Sequence, residues 1–189
     1  MELIKAIYQR RAVRHFSDAE VSRSVITDLI RAAVQAPSAL NLQPWSFAVF
    51  HGRERLASCS ERIKAHLLAT TDPSFALDPR LDTDANTQIN IFHEADTLIV
   101  IYAKPGRFSP VEDCLLAAQN LMLAAHGLGL GACPIGFART WFNLPEIKFE
   151  AGIPTNYTSV LPIVIRHPAA RAPEISKREP EIICWHWDE

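Results

Sequence analysis

The sequence has no long hydrophobic run and no cysteine motif. Its longest apolar stretch, Cys114 to Ala125, is interrupted by Gln119 and Asn120 and is too short to span a bilayer. The four cysteines are scattered without a C-x-x-C pair, which is typical of reduced thiols rather than of a disulfide framework. They are Cys59, Cys114, Cys133 and Cys184. These absences argue against a membrane span and against a disulfide scaffold.

Neither sign of charge is in excess, and no segment resembles a secretion signal. The 19 basic and 21 acidic residues leave a net charge of −2, which gives no general affinity for nucleic acid or anionic membranes. The first residues contain no long apolar stretch. We therefore expect a cytoplasmic protein without a nucleic-acid or membrane partner. With 48% apolar residues, residues 1–189 are expected to form a single globular domain.

Apolar residues at helical spacing predict four helices. The second has the clearest ends, because Ser22 is a good N-cap and Pro37 stops the pattern. The fourth is apolar almost all round, so we expect it to be buried on most sides, between two subunits. Residues 70–94 are predicted to form an excursion with one short helix near Thr87. The other predicted helices cover Glu2 to Arg11, Arg53 to Leu68 and Glu112 to Gly127.

Four apolar runs predict strands. Pro162, inside the third run, favours an edge or irregular position. Helices and strands do not alternate regularly, which indicates an α+β or three-layer architecture rather than a βαβ series. The predicted strands are Trp45 to Phe50, Thr97 to Tyr102, Ser159 to Arg166 and Glu181 to Trp187.

Two basic clusters are candidates for binding a phosphate. Arg10-Arg11-Ala12-Val13-Arg14 carries three arginines within five residues, and Ser176-Lys177-Arg178 lies near the other end. Arginine forks suit phosphate oxygens in a bidentate geometry. The alternative is a solvated basic surface, and the sequence does not show whether the two clusters meet.

Two loops have the composition of binding loops. Residues 36–45 (APSALNLQPW) place Ser, Asn and Gln between prolines, a rigid and polar arrangement that suits a planar heterocycle. Residues 127–136 (GLGLGACPIG) resemble a dinucleotide loop but follow a helix rather than a strand, so that interpretation fails. Their glycines instead indicate a close approach of backbone. For both loops the alternative is that the segment only connects two secondary-structure elements and binds nothing.

Taken together, these segments resemble the nitroreductase family of flavoenzymes. The matching segments occur in the family's order, at compatible separations, over nearly the whole chain. They are RRAVRHF at 10–16, APSALNLQPWSF at 36–47, GLGLGACPIG at 127–136 and KREP at 177–180. The resemblance implies a three-layer α-β-α sandwich with a mainly antiparallel sheet. It also implies a homodimer that exchanges its C-terminal strands and binds FMN, with NADH or NADPH as electron donor.

The resemblance also implies roles for individual residues. Arg10 and Arg11 would hold the FMN phosphate, and Arg14 would lie near the flavin N1–O2 edge. Ala12 stands where family members often carry a hydroxyl, so one phosphate hydrogen bond is expected to be missing. Lys177 and Arg178 would join the phosphate site from the other end of the chain.

Further contacts would come from the two loops. The other subunit would line the cofactor with Pro37, Ser38, Ala39 and Asn41. Backbone N–H groups around Ile135 and Gly136 would face the flavin O4–N5 edge. A side chain between Asn86 and Asn90, with Gln88 the candidate, would contact the pyrimidine ring.

The expected activity is hydride transfer from NAD(P)H through flavin N5 to a small electron-poor acceptor, such as a nitroaromatic or a quinone, by a ping-pong mechanism. Flavin chemistry needs no side-chain nucleophile or general base, and none stands out. Two alternatives remain: a non-catalytic flavin-binding or storage protein, and a same-fold enzyme that dehalogenates, oxidises a ring or breaks down flavin. A metal site is not expected, because Cys184 and His186 have no further spaced ligand pair.

Overall fold

The computed structural model describes residues 2–70 and 90–187. Residues 71–89, which include Thr87 and Gln88, lie outside them. The described part contains six α-helices and four strands, and the four strands form one sheet. The helices are α1 (Leu3–Gln9), α2 (Arg23–Ala33), α3 (Arg53–Thr70), α4 (Pro110–Gly127), α5 (Ala138–Trp141) and α6 (Pro145–Glu150). The strands are β1 (Trp45–His51), β2 (Thr97–Ala103), β3 (Gly131–Pro134) and β4 (Thr158–Arg166).

The sheet has the order β1-β2-β4-β3, and every neighbouring pair is antiparallel. All seven residues of β2 are buried, as its unbroken apolar run predicts. Because side chains alternate across a strand, Ile99 and Ile101 pack with α2 and α4, whereas Leu98 and Val100 pack with α3, α5 and α6. The sheet is therefore covered on both faces, and the predicted three-layer α+β architecture is confirmed.

Strand β4 lies inside the sheet, so the edge position expected for Pro162 is wrong. The Pro162 carbonyl accepts a hydrogen bond from the Ile135 N–H at 2.8 Å, on the β3 side. In an antiparallel strand, the backbone nitrogen and oxygen of one residue point to the same neighbouring strand. The nitrogen of Pro162, which carries no hydrogen, therefore faces the chain just beyond the end of β3. The expected irregularity is present, because the β2–β4 register shifts between Ile101 and Tyr102.

Several apolar side chains of α1 and α4 remain exposed in the single chain. Leu3, Ile4 and Tyr8 on α1 are more than half exposed, and only Ala6 of that helix is buried. On α4, Leu115 is 44% exposed although the helix carries few charges. Among the described helices, none is long and apolar enough to cross a membrane.

The C-terminal arm, residues 169–187, contains no helix or strand. The run predicted as a strand, Glu181 to Trp187, makes no backbone hydrogen bond with the described residues, and Ile183 is 95% exposed. The run therefore forms no strand within its own chain. Its exchange into a partner's sheet stays a prediction.

Candidate active site

The basic segment 10–14 leaves α1 and lies against strand β3. Ala12 bridges Ala132 in parallel orientation, and the Val13 N–H donates to the Ala132 carbonyl at 3.1 Å. Gly131 makes this approach possible, since a Cβ on Gly131 would lie 2.8 Å from the Val13 Cβ. The close approach predicted from the glycines is thus made by the chain's own arginine segment.

Arg10 and Arg14 both act electrostatically on Cys133 of β3. Burial raises the pKa of the Cys133 thiol, and the positive charges of Arg14 and Arg10 oppose that shift. Among the described residues no carboxylate forms an ion pair with either arginine. Two cations without an ion-pair partner among the described residues, beside one strand, suit an anionic ligand.

Arg11 has a different environment from Arg10 and Arg14. Its Nη1 donates to the Tyr8 carbonyl at 2.7 Å and to the Arg10 carbonyl at 2.9 Å. Tyr8 lies in the last turn of α1, where carbonyls lack helical partners, so Arg11 caps the end of this helix. Arg11 also lines a cleft of about 220 Å³ together with Val13 and His126. The phosphate role expected for Arg11 thus competes with a structural one.

The loop 36–45 is held rigidly by its own polar groups. The Ser38 hydroxyl accepts from the Gln43 N–H at 3.0 Å, and the Gln43 amide donates to the Asn41 side chain at 3.1 Å. The Ala39 N–H donates to the Asp113 carboxylate of α4 at 3.3 Å. Asn41 and Pro37 are exposed, so the loop presents them away from its own core. This rigidity agrees with the sequence interpretation of the loop.

Ile135 and Gly136 differ in the hydrogen bonds that they can offer. The Ile135 N–H is already bonded to Pro162, as described above. The Gly136 N–H makes no hydrogen bond within the described part of the chain, and the space beside its Cα is open. Of these two expected donors, Gly136 is the one available to a ligand.

The second basic cluster lies on the C-terminal arm. Lys177 and Arg178 are exposed and make no hydrogen bond or ion pair with residues that the structure describes. The start of the arm is fixed beside the N-terminal segment, because the Ala169 N–H donates to the His15 carbonyl at 3.0 Å. Within one chain, therefore, no hydrogen bond or ion pair ties this second cluster to the rest of the described residues.

The folded chain brings one further histidine, which the sequence does not signal, close to Arg14. His93 lies close enough to Arg14 that its pKa falls below the ordinary value, through burial first and then through the charges of Arg14 and His15. A lone histidine outside any motif could not have been selected from the sequence, because only the folded chain brings it to Arg14.

The structure gives no support for a metal site. The Cys184 Sγ lies 3.0 Å from the His186 Nε2 on the exposed arm, although the strand predicted for these residues is not formed within the chain. Over residues 2–70 and 90–187, no group of three or more His, Cys, Asp or Glu side chains is arranged to hold a metal ion.

The described chain thus combines an antiparallel sheet between helical layers with two arginines beside β3 that lack an ion-pair partner among the described residues. The family described as "Nitroreductase family" matches residues 7–164. The chain therefore belongs to the nitroreductase family.

Individual relatives agree with this assignment. The chain is 32% identical over 160 residues to an Archaeoglobus fulgidus protein with the assigned name NADH dehydrogenase/NAD(P)H nitroreductase, covering 82% of this chain and 79% of that one. The FMN-bound nitroreductase of Bacteroides fragilis shares the fold with a TM-score of 0.79, at 23% identity and with 100% of both chains covered. Oxidised iodotyrosine deiodinase bound to FMN and 3-iodo-L-tyrosine also shares it, with a TM-score of 0.76 at 21% identity, over 96% and 97% of the chains.

Proposed function

We propose that this protein is an FMN-dependent oxidoreductase that passes hydride from NADH or NADPH to a small electron-poor acceptor, a nitroaromatic or a quinone. The observation that carries the proposal is the pair Arg10 and Arg14, two arginines without an ion-pair partner in the described chain, held beside β3. Bound FMN supplies the hydride chemistry at its N5, so the protein needs no nucleophile of its own. Donor and acceptor use the site in turn, in a ping-pong mechanism.

Different residues of the chain bind different parts of the cofactor. Arg10, together with Lys177 and Arg178 of the arm, binds the phosphate. Arg14 lies at the N1–O2 edge, where its charge stabilises negative charge on the reduced ring. The lowered pKa of His93 keeps its imidazole neutral near pH 7, so it does not repel Arg14. The Gly136 N–H donates to the O4–N5 edge.

The active form is a homodimer with FMN at the subunit interface. The exposed apolar residues of α1 and α4 supply a surface that a second copy would cover. The loop with Pro37, Ser38, Ala39 and Asn41 lines the FMN bound to the other subunit. The run 181–187 has unpaired backbone groups and adds to the sheet of that subunit. All four cysteines are unbonded, which suits a reducing, cytoplasmic location.

The proposal is tested on the purified protein by its visible spectrum, followed by anaerobic titration with NADH and NADPH. We expect a bound flavin that heat releases as FMN, bleaching by a nicotinamide donor, and steady turnover with menadione. Bound FAD, or a protein that binds no flavin after reconstitution, would refute the cofactor assignment. Bound FMN without turnover would instead identify a flavin-storage protein.

The similarity to iodotyrosine deiodinase supports a second candidate, reductive dehalogenation. That enzyme shares the fold, and a fold does not fix the acceptor. Release of iodide from 3-iodotyrosine by the reduced protein, at a rate above that of menadione reduction, would favour it.

A further inference from the structure

A second cleft, of about 500 Å³, lies between the loop 36–45 and the segment that links β2 to α4. We call it the 104–108 cleft. The loop supplies the apolar side chains of Leu40 and Leu42, and the linking segment supplies Phe108 together with the charged Lys104 and Arg107; all five are exposed. Its lining includes Leu40, Leu42, Lys104, Arg107, Phe108 and Asp113.

The walls of the 104–108 cleft are apolar and strained. The side chains of Leu40 and Phe108 are 80% and 63% exposed. Both residues have left-handed backbone angles, with φ of 50° and 64°. Large side chains rarely adopt this conformation, and such strain concentrates at functional sites. Two strained apolar residues facing one cleft therefore indicate a surface for a planar apolar group.

The two sides of the cleft are fixed to each other by backbone hydrogen bonds. The Lys104 N–H donates to the Pro44 carbonyl at 2.7 Å, which ties the start of the linking segment to the end of the loop. At the other side, Asp113 holds the Ala39 N–H. The cleft is thus formed before any ligand arrives, which lowers the cost of binding.

The rim of the cleft carries a net positive charge. Lys104 and Arg107 are exposed, and neither forms an ion pair in the part of the chain that the structure describes. Among the described residues Asp113 is the one carboxylate that lines the cleft, and it is 9% exposed with both oxygens directed to Ala39. Two solvent-facing cations therefore outweigh one buried anion.

We infer that the 104–108 cleft selects acceptors that join an aromatic ring to an anionic group, such as a nitrobenzoate. The ring packs between Leu40 and Phe108, and the carboxylate is attracted by Lys104 and Arg107. This inference rests on the proposed function, in which the loop 36–45 lies beside the flavin. In the reaction NAD(P)H supplies two electrons as hydride, solvent supplies one proton, and the nitro group becomes nitroso while its oxygen leaves as water.

The test compares two acceptors of nearly equal shape, 4-nitrobenzoate and the uncharged 4-nitrobenzamide. We expect wild-type holoenzyme to have the higher kcat/KM for 4-nitrobenzoate. The ratio of the two kcat/KM values should fall about fivefold in Arg107→Gln and further in Lys104→Gln/Arg107→Gln, as removal of exposed charges predicts. Arg23→Gln, which removes an exposed arginine of α2, is the matched control and should keep the ratio. Because the ratio cancels enzyme concentration and flavin content, partial misfolding does not affect it.

Added salt gives an independent measurement, since exposed charges are screened at high ionic strength. The preference for 4-nitrobenzoate should shrink as sodium chloride rises from 0.02 to about 0.5 M, and should do so less in the double variant. Equal kcat/KM for the two acceptors in wild type, or an equal change in Arg23→Gln, would overturn the cleft's role and leave the proposed function intact.

If neither acceptor is reduced, the proposed function is wrong, and a binding measurement then tests the role of the cleft independently. Calorimetry with benzoate and benzamide on the oxidised protein needs no turnover. Binding of benzoate that is lost in the double variant supports an anion-selective cleft. No binding of benzoate to the wild type overturns it, and that is the result expected if a second copy of the chain fills the cleft.

Discussion

Gly131 and Val13 touch so closely that no side chain fits between them. A Cβ on Gly131 would lie 2.8 Å from both the Cβ and the Cγ1 of Val13 and 3.1 Å from the Phe16 ring. The segment that carries Arg10 and Arg14 can lie against β3 because Gly131 has no side chain.

Gly131→Ala should therefore push the segment 10–14 away from β3. We expect a loss of about 1–3 kcal/mol in the free energy of unfolding, the usual cost of overpacking, and weaker FMN binding. Gly127→Ala is the matched control, because nothing lies within 4 Å of a Cβ at that position. Thermal unfolding and fluorescence titration with FMN measure the two effects. Equal FMN affinity in both variants would contradict the proposed dependence of the site on Gly131.

Arg14→Gln should make the flavin harder to reduce while the protein still binds FMN. Loss of a charge-assisted hydrogen bond of about 1.5–3 kcal/mol to the reduced ring corresponds to a midpoint potential about 30–60 mV more negative. Arg11→Gln is the comparison, since the Nη1 of Arg11 faces the end of α1; it should lower thermal stability and leave the potential unchanged. An unchanged potential in Arg14→Gln, measured by anaerobic dye equilibration, would contradict the role of Arg14.

Arg178→Ala should weaken FMN binding by about 1.5–3 kcal/mol if one charge-assisted hydrogen bond to the phosphate is lost. Arg171→Ala removes a cation from the same arm and is the control, because Arg171 lies beside Glu174 at 3.6 Å and both are exposed. Affinity for riboflavin, which lacks the phosphate, should not change in either variant. A matching loss of riboflavin affinity would instead place Arg178 away from the phosphate.

Truncation after Pro180 should weaken dimerisation and FMN binding together, because in the proposed dimer the arm adds to the partner's sheet and the cofactor lies between subunits. In obligate dimers the folded state depends on protein concentration, so the truncated form should also unfold at a lower temperature when diluted. Light scattering with flavin fluorescence recorded in parallel measures both properties. A wild-type monomer that keeps its FMN would refute the shared site.

Long, regular patterns allowed the main elements to be predicted from the sequence. Local periodicity is enough to predict β2 from its unbroken apolar run and α2 from its apolar residues at helical spacing. Ser22 does cap α2, accepting a hydrogen bond from the Val25 N–H at 3.4 Å. Strand β3 was missed because four residues containing glycine carry no periodicity. The short helices α5 and α6 were missed for the same reason.

Other features depend on contacts between distant segments. Pro162 is tolerated in an inner strand because β3 ends before the position at which an N–H of residue 162 would have to donate a hydrogen bond. Arg11 caps α1, and no composition rule separates it from Arg10. The 104–108 cleft combines Leu40 with Phe108, which are far apart in sequence and are brought together by the bond from Lys104 to Pro44.

The contact of Ala12 and Val13 with β3 also bears on solubility. Strand β3 is the last strand of the sheet, and an uncovered edge strand offers its backbone to any other chain. The segment that carries the arginines covers this edge through the hydrogen bond from the Val13 N–H to Ala132. Loss of the first residues would consequently do more than remove the arginines that we propose to bind FMN: it would expose a strand to edge-to-edge aggregation.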